Sequence, residues 1–121
     1  MNIWIIVIGL LTHWVADFVF QTDWEAKNKS INNYALTKHV LKYSLMWLIP
    51  IVGTAFFTSV PIILFWFIPI TFVCHWVTDY FTSRLNSRLW KTNKVHEFFV
   101  SVGFDQVLHY VQLVLTFLLL T

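Results

Sequence analysis

The chain has 121 residues, of which 58% are hydrophobic, 19% aromatic and only 12% charged, with a net charge of +2. A soluble globular domain carries roughly a quarter of its residues as charges, so the composition excludes an ordinary soluble enzyme and points to a membrane protein. With no glycine-rich phosphate loop, no CxxC pair and no basic, aromatic-studded surface, the sequence gives little support to soluble-module chemistry or nucleic-acid binding.

Four apolar stretches, residues 3–21, 37–57, 60–82 and 97–120, approach the roughly 20 residues that cross a bilayer as a helix. They predict an all-α, polytopic membrane protein, a four-transmembrane-helix bundle in which residues 1–121 form one domain. The first stretch has no basic leading region and no small-residue cleavage site, and it carries His13 and Asp17, so it is expected to be a retained helix and not a signal peptide. Helix two opens near His39, and Pro50 and Gly53 are expected to bend it. Pro61 fits the first turn of helix three, and Pro69 is expected to bend that helix.

Beyond Asp79 helix three is expected to continue, with Arg84, Arg88 and Lys91 on one face and Leu85 and Leu89 on another. That pattern suits a helix lying on anionic headgroups or a solvated basic stub that sets topology. Basic residues cluster around the first connection (Lys27, Lys29, Lys38, Lys42) and the third (Arg84, Arg88, Lys91, Lys94). By the positive-inside rule these connections are cytoplasmic and both termini lie on the non-cytoplasmic side, with Trp4, Trp24 and Trp90 near the interfaces. The lone cysteine, Cys74, forms no internal disulfide and reads as packing.

The chain writes HWVADF at 13–18 and HWVTDY at 75–80, then DQVLH at 105–109. Of six acidic residues, Asp17, Asp79 and Asp105 fall inside predicted spans, and each has a histidine one helical turn away on the same face: His13, His75 and His109. The echo is either the remnant of a duplicated hairpin or one short motif required twice. His39 adds an imidazole from helix two. In the predicted topology these groups converge at similar depth, and ionisable residues within a membrane mark a functional site by default.

Neutral imidazoles and carboxylates are the ligands of Zn²⁺, Mn²⁺ and Fe²⁺, and facing helices of a bundle build di-metal sites from such sets. His13, Asp17, His39, His75, Asp79, Asp105 and His109 are therefore the expected ligands of one or two divalent ions. Asp17, Asp79 and Asp105 are the catalytic candidates, one of them as general base. The bland alternative is that each pair is a buried Asp–His bond joining helices; three pairs plus His39 are more desolvated charge than such glue requires. Gln21 and Gln106 are placed to orient a ligand or to join helices. Lys27, Lys38 and Arg84 are placed to meet a phosphate or to anchor the headgroup boundary, the second role fitting Lys42 better. His96 reads as a surface residue.

HWVADFVFQTDWEAKNKS, KHVLKY, HWVTDYFTSR and FDQVLH together resemble the small bacterial and phage membrane family catalogued as domain-of-unknown-function family 3307. The resemblance covers nearly the whole chain and carries over the polar positions named above. It brings no reaction with it, and it implies a bacterial inner membrane. The leading expectation is a membrane-embedded, metal-dependent hydrolase acting on a lipid or lipid-linked phosphoester from the cytoplasmic leaflet. The alternatives are a divalent-metal or proton-coupled transporter, which would require a homo-oligomer for room, and a non-catalytic accessory protein.

Overall fold

The computed structural model describes residues 1–121, which form helices and short turns with no strand. Asn2 caps α1 (Ile3–Trp14) by accepting a hydrogen bond from the Trp4 amide at 2.9 Å. The helix then widens into a π-helix over Val15–Val19, in which the Phe20 amide donates to the Val15 carbonyl at 3.0 Å. Such widened turns concentrate at functional sites, and this one buries both Ala16 and Asp17.

The first connection is not simple loop. It contains α2 (Asp23–Asn28), started by Thr22, whose hydroxyl accepts from the Glu25 amide at 3.2 Å. Helix two begins earlier than its apolar run because Asn32 caps α3 (Asn33–Met46). Its hydrogen-bond pattern is interrupted at Trp47, before α4 (Leu48–Ala55). The cause is Pro50, which cannot donate to the Met46 carbonyl and whose ring crowds it.

Pro61 precedes a 3₁₀ turn over Ile62–Trp66, and α5 (Phe67–Lys91) follows. Pro69 lies in the first turn of α5, where its missing N–H is one that no helix satisfies internally, so it opens the helix instead of kinking it. Helix α5 does continue well beyond Asp79, as its basic extension predicted. It ends at a left-handed Asn93 (φ 58°), with the Lys94 amide donating to the Leu89 carbonyl at 2.9 Å and the Asn93 amide to Trp90 at 3.1 Å. This Schellman closure folds α6 (Val95–Leu120) back along α5.

The chain is thus all-α. Two helical stretches, Ile62–Lys91 and Val95–Leu120, are long and apolar enough to cross a membrane, while Ile3–Val19 is a shorter apolar helix. Helix α5 packs against α6 on one side and α3 on another, and α3 also meets the π-helix and α2. Of 22 buried residues, 12 are polar or charged, whereas soluble proteins bury mainly apolar side chains. The polar interior sits where α3, α5, α6 and the π-helix meet. An apolar cluster that includes Tyr43, Trp47, Ile51, Phe67 and Leu113 packs beside it.

Candidate metal centre

The inward-facing polar side chains come from four elements, Asp17 from the π-helix, His39 from α3, His75 and Asp79 from α5, and Asp105 and His109 from α6, and the α5–α6 turn brings two of the pairs side by side. Asp17, His39, His75 and Asp79, all buried, place one ligand atom each within 4.8 Å of the others. Asp17 Oδ1 lies 3.0 Å from His39 Nε2 and 3.5 Å from His75 Nε2. Asp79 Oδ2 lies 3.6 Å and 3.5 Å from the same two nitrogens. A tetrahedral ion with ligand bonds of about 2.0–2.1 Å has ligand–ligand edges of about 3.3–3.4 Å, so the cage has the dimensions of a bound ion.

His75 makes the strongest case for that fit. Its ring is fully buried, stacked between Tyr43 at 3.9 Å and His109 at 4.1 Å between centroids. Neither ring nitrogen has a hydrogen-bond partner. Buried polar atoms are nearly always paired, and an unpaired Nε2 aimed between two carboxylates is the arrangement a ligand adopts.

Asp79, Asp105 and His109 form a second group. His109 Nε2 lies 3.1 Å from Asp79 Oδ1 and 3.3 Å from Asp105 Oδ1. Asp79 therefore offers Oδ2 to the first group and Oδ1 to the second, as a carboxylate shared between two ions would.

The surroundings are electrostatically unbalanced. Four buried carboxylates, Asp17, Glu25, Asp79 and Asp105, are met by two lysines: Lys29 at 2.9 Å from Asp79 Oδ2 and Lys42 at 2.6 Å from Glu25 Oε1. Burial works against the Lys29 ammonium, but Asp79 and Asp17 outweigh it and hold its pKa above the ordinary lysine value. Two negative charges remain, a deficit met by protonated imidazoles or by a divalent cation.

His13 does not join either group. Its Nε2 donates to Gln106 Oε1 at 2.8 Å, so its Nδ1 accepts from the Tyr43 hydroxyl at 2.7 Å, and Asp17 Oδ2 stands at 3.7 Å. Gln106 in turn donates to Asp105 Oδ2 at 3.2 Å, so it holds that carboxylate while joining α6 to α1. Gln21 and Lys27 line a cleft of ≈ 590 Å³ that reaches Asp17 and Asp105. Lys38 lies over the Trp24 ring at 5.6 Å. Arg84 is engaged by Asn33 Oδ1 at 2.8 Å and the Tyr80 carbonyl at 2.9 Å; neither is among the cleft residues.

Three residues outside the expected set belong to the centre. Tyr43 follows His39 by four residues, a same-face spacing that could have revealed it. Glu25, fully buried, sets Oε2 3.8 Å from His39 Nδ1 and pairs with Lys42. Lys29 reaches Asp79 from 50 positions away, and no local pattern announces it.

The fold and site together define a small all-helical protein with a buried carboxylate–imidazole centre. The chain belongs to the family described as protein of unknown function (DUF3307), which it matches over residues 5–121. No curated protein and no solved structure gives a significant match.

Proposed function

We propose that the protein is a metal-dependent hydrolase embedded in the bacterial inner membrane, acting on a lipid or lipid-linked phosphoester from the cytoplasmic leaflet. Its single domain crosses the membrane four times, with both termini on the non-cytoplasmic side. The interrupted pairs, α1 with the π-helix and α3 with α4, supply the crossings beside α5 and α6. The apolar exterior around a polar interior supports this reading.

The observation that carries the proposal is Asp79, whose two carboxylate oxygens face two buried ligand groups beside a polar cleft. Asp17, His39, His75 and Asp79 would hold one ion, and Asp79, Asp105 and His109 the other. A divalent ion there supplies Lewis acidity toward the phosphoester and a lowered pKa for water. Asp105 lines the cleft and its Oδ1 has no hydrogen-bond partner, so it is the carboxylate assigned to accept a proton from water. Lys27 and Lys91 line the same cleft and suit a phosphate.

Two observations weigh against the alternatives. A transport path needs access from both sides, and beyond the centre the packed rings of Tyr43, Trp47 and Phe67 stand in the way. A purely structural bundle would pair its buried polar atoms, and His75 leaves both nitrogens unpaired.

The test is purified protein loaded with Zn²⁺, Mn²⁺ or Fe²⁺ and offered bacterial phospholipids and lipid-linked phosphates, with release of headgroup or phosphate measured. Metal-dependent release that disappears in Asp105→Asn is expected. Ion flux across proteoliposomes with no release under any metal would replace the hydrolase with a transporter.

A further inference from the structure

The cleft carries more polar groups than the metal centre uses. Three buried side-chain oxygens on its wall, Gln21 Oε1, Ser83 Oγ and Asn86 Oδ1, have no hydrogen-bond partner, and Ser83 is only 8% exposed. Two of them are amide carbonyl oxygens, which accept and cannot donate. Buried polar groups are nearly always paired, so a small turn of these side chains toward the cleft would be repaid by a ligand that brings hydrogen-bond donors.

The same cleft is lined by Lys27 and Lys91, and the ion pairs made by lysines are those of Lys29 and Lys42 alone. Two uncommitted ammonium groups suit a phosphate. An adjoining hollow lined by Arg84, Arg88 and Lys91 adds positive charge, and these groups with Lys27 and Lys29 outnumber the Asp17 and Asp105 carboxylates on the cleft wall, which disfavours a cationic headgroup. Phe18 and Phe99, 46% and 62% exposed, form an apolar edge to the cleft.

We infer that this cleft is a headgroup subsite for a phospholipid whose phosphate bears a hydroxylated substituent, a polyol or a sugar. Lys27 and Lys91 hold the phosphate, Gln21, Ser83 and Asn86 accept from the hydroxyls, and the apolar chains leave past Phe18 and Phe99. The inference rests on the lipid phosphoester reading above, and it adds the chemical class of headgroup. A trimethylammonium headgroup has no hydrogen to donate, and a primary ammonium meets the positive field.

Calorimetric titration of the purified full-length chain in detergent tests this, with headgroup release assayed in parallel. The probes are short-chain phosphatidylglycerol, phosphatidylcholine and phosphatidylethanolamine, and free glycerol phosphate. Phosphatidylglycerol is expected to bind at least about tenfold more tightly than the other two lipids, and about tenfold more tightly than glycerol phosphate, each tenfold being about 1.4 kcal/mol. Ser83→Ala and Asn86→Ala are expected to weaken phosphatidylglycerol about fivefold each and leave phosphatidylcholine unchanged, whereas Lys27→Ala weakens all three lipids alike. Ser83→Ala is the safer variant, because a hydroxyl with no internal partner leaves nothing unpaired when removed. Equal affinity for the three lipids, or phosphatidylglycerol binding untouched by both wall variants, would overturn the headgroup assignment. Glycerol phosphate binding as tightly as the lipid would overturn the lipid assignment. Selective binding without release sinks the hydrolase and leaves the subsite standing; release without selectivity does the reverse.

Discussion

The two copies of the echoed motif, HWVADF on α1 and the π-helix and HWVTDY on α5, keep similar imidazole–carboxylate distances and differ in their surroundings. Their imidazole–carboxylate distances are 3.7 Å and 3.5 Å, and the reversed pair on α6 measures 3.3 Å, so the helical spacing is realised three times. Yet His13 spends both nitrogens on Tyr43 and Gln106, while His75 leaves both unpaired and faces two carboxylates. Asp17 lies in the first group alone, and Asp79 lies in both. An i,i+4 pair establishes which side chains share a face; what the neighbouring helices set opposite that face decides whether the pair keeps free ligand atoms or braces the bundle.

Substitutions in the two copies should separate these roles. The largest effect is expected from Asp79→Ala, which removes a ligand from both groups and leaves Lys29 unpaired in the interior. Metal should be lost from both sites, and stability should fall by about 3–5 kcal/mol, read by elemental analysis and thermal unfolding. Asp17→Ala should lose metal from the first group only. Equal metal loss in the two variants would erase the distinction between the copies.

Next is the histidine pair. His75→Ala should empty the first group, whereas His13→Ala should keep its metal and lose about 1–3 kcal/mol of stability, because Tyr43 and Gln106 are left without their partner. Metal loss in His13→Ala comparable with that in His75→Ala would show His13 to be a ligand after all. Glu25→Gln removes the carboxylate beside His39 and should lower metal affinity about 10–100-fold, measured by chelator competition. Tyr43→Phe deletes one hydrogen bond to His13 and should cost about 1 kcal/mol with metal content unchanged.

The smallest effect concerns the turn that sets α6 beside the second copy. Asn93 is left-handed, so Asn93→Gly should leave stability unchanged or raise it by at most about 1 kcal/mol, and a melting temperature lowered by several degrees would contradict the role given to that turn.

Much of the centre was legible in the sequence because helical periodicity is local. The pairs Asp17–His13, Asp79–His75 and Asp105–His109 needed only a spacing of four, and His39 needed only its place at the start of an apolar helix. The exclusion of His13 was not legible, since it depends on Tyr43 and Gln106 arriving from α3 and α6. Helix α2 was hidden because its residues read as a polar connection, and with it went Glu25 and Lys29, whose partners lie on α3 and α5. The interruptions at Trp47 and over Val15–Val19 were likewise out of reach of hydropathy, which registers apolar length and not hydrogen-bond pattern. Pro50 signalled a disturbance in helix two, but its place, an interruption at Trp47, is visible only in the folded chain.

Anomalous diffraction from crystals of protein purified with Zn²⁺ or Mn²⁺ tests the central claim most directly. Two metal peaks flanking Asp79 are predicted, one among Asp17, His39 and His75 and the other beside Asp105 and His109. Absence of any peak at Asp79 in protein that carries stoichiometric metal would contradict the account.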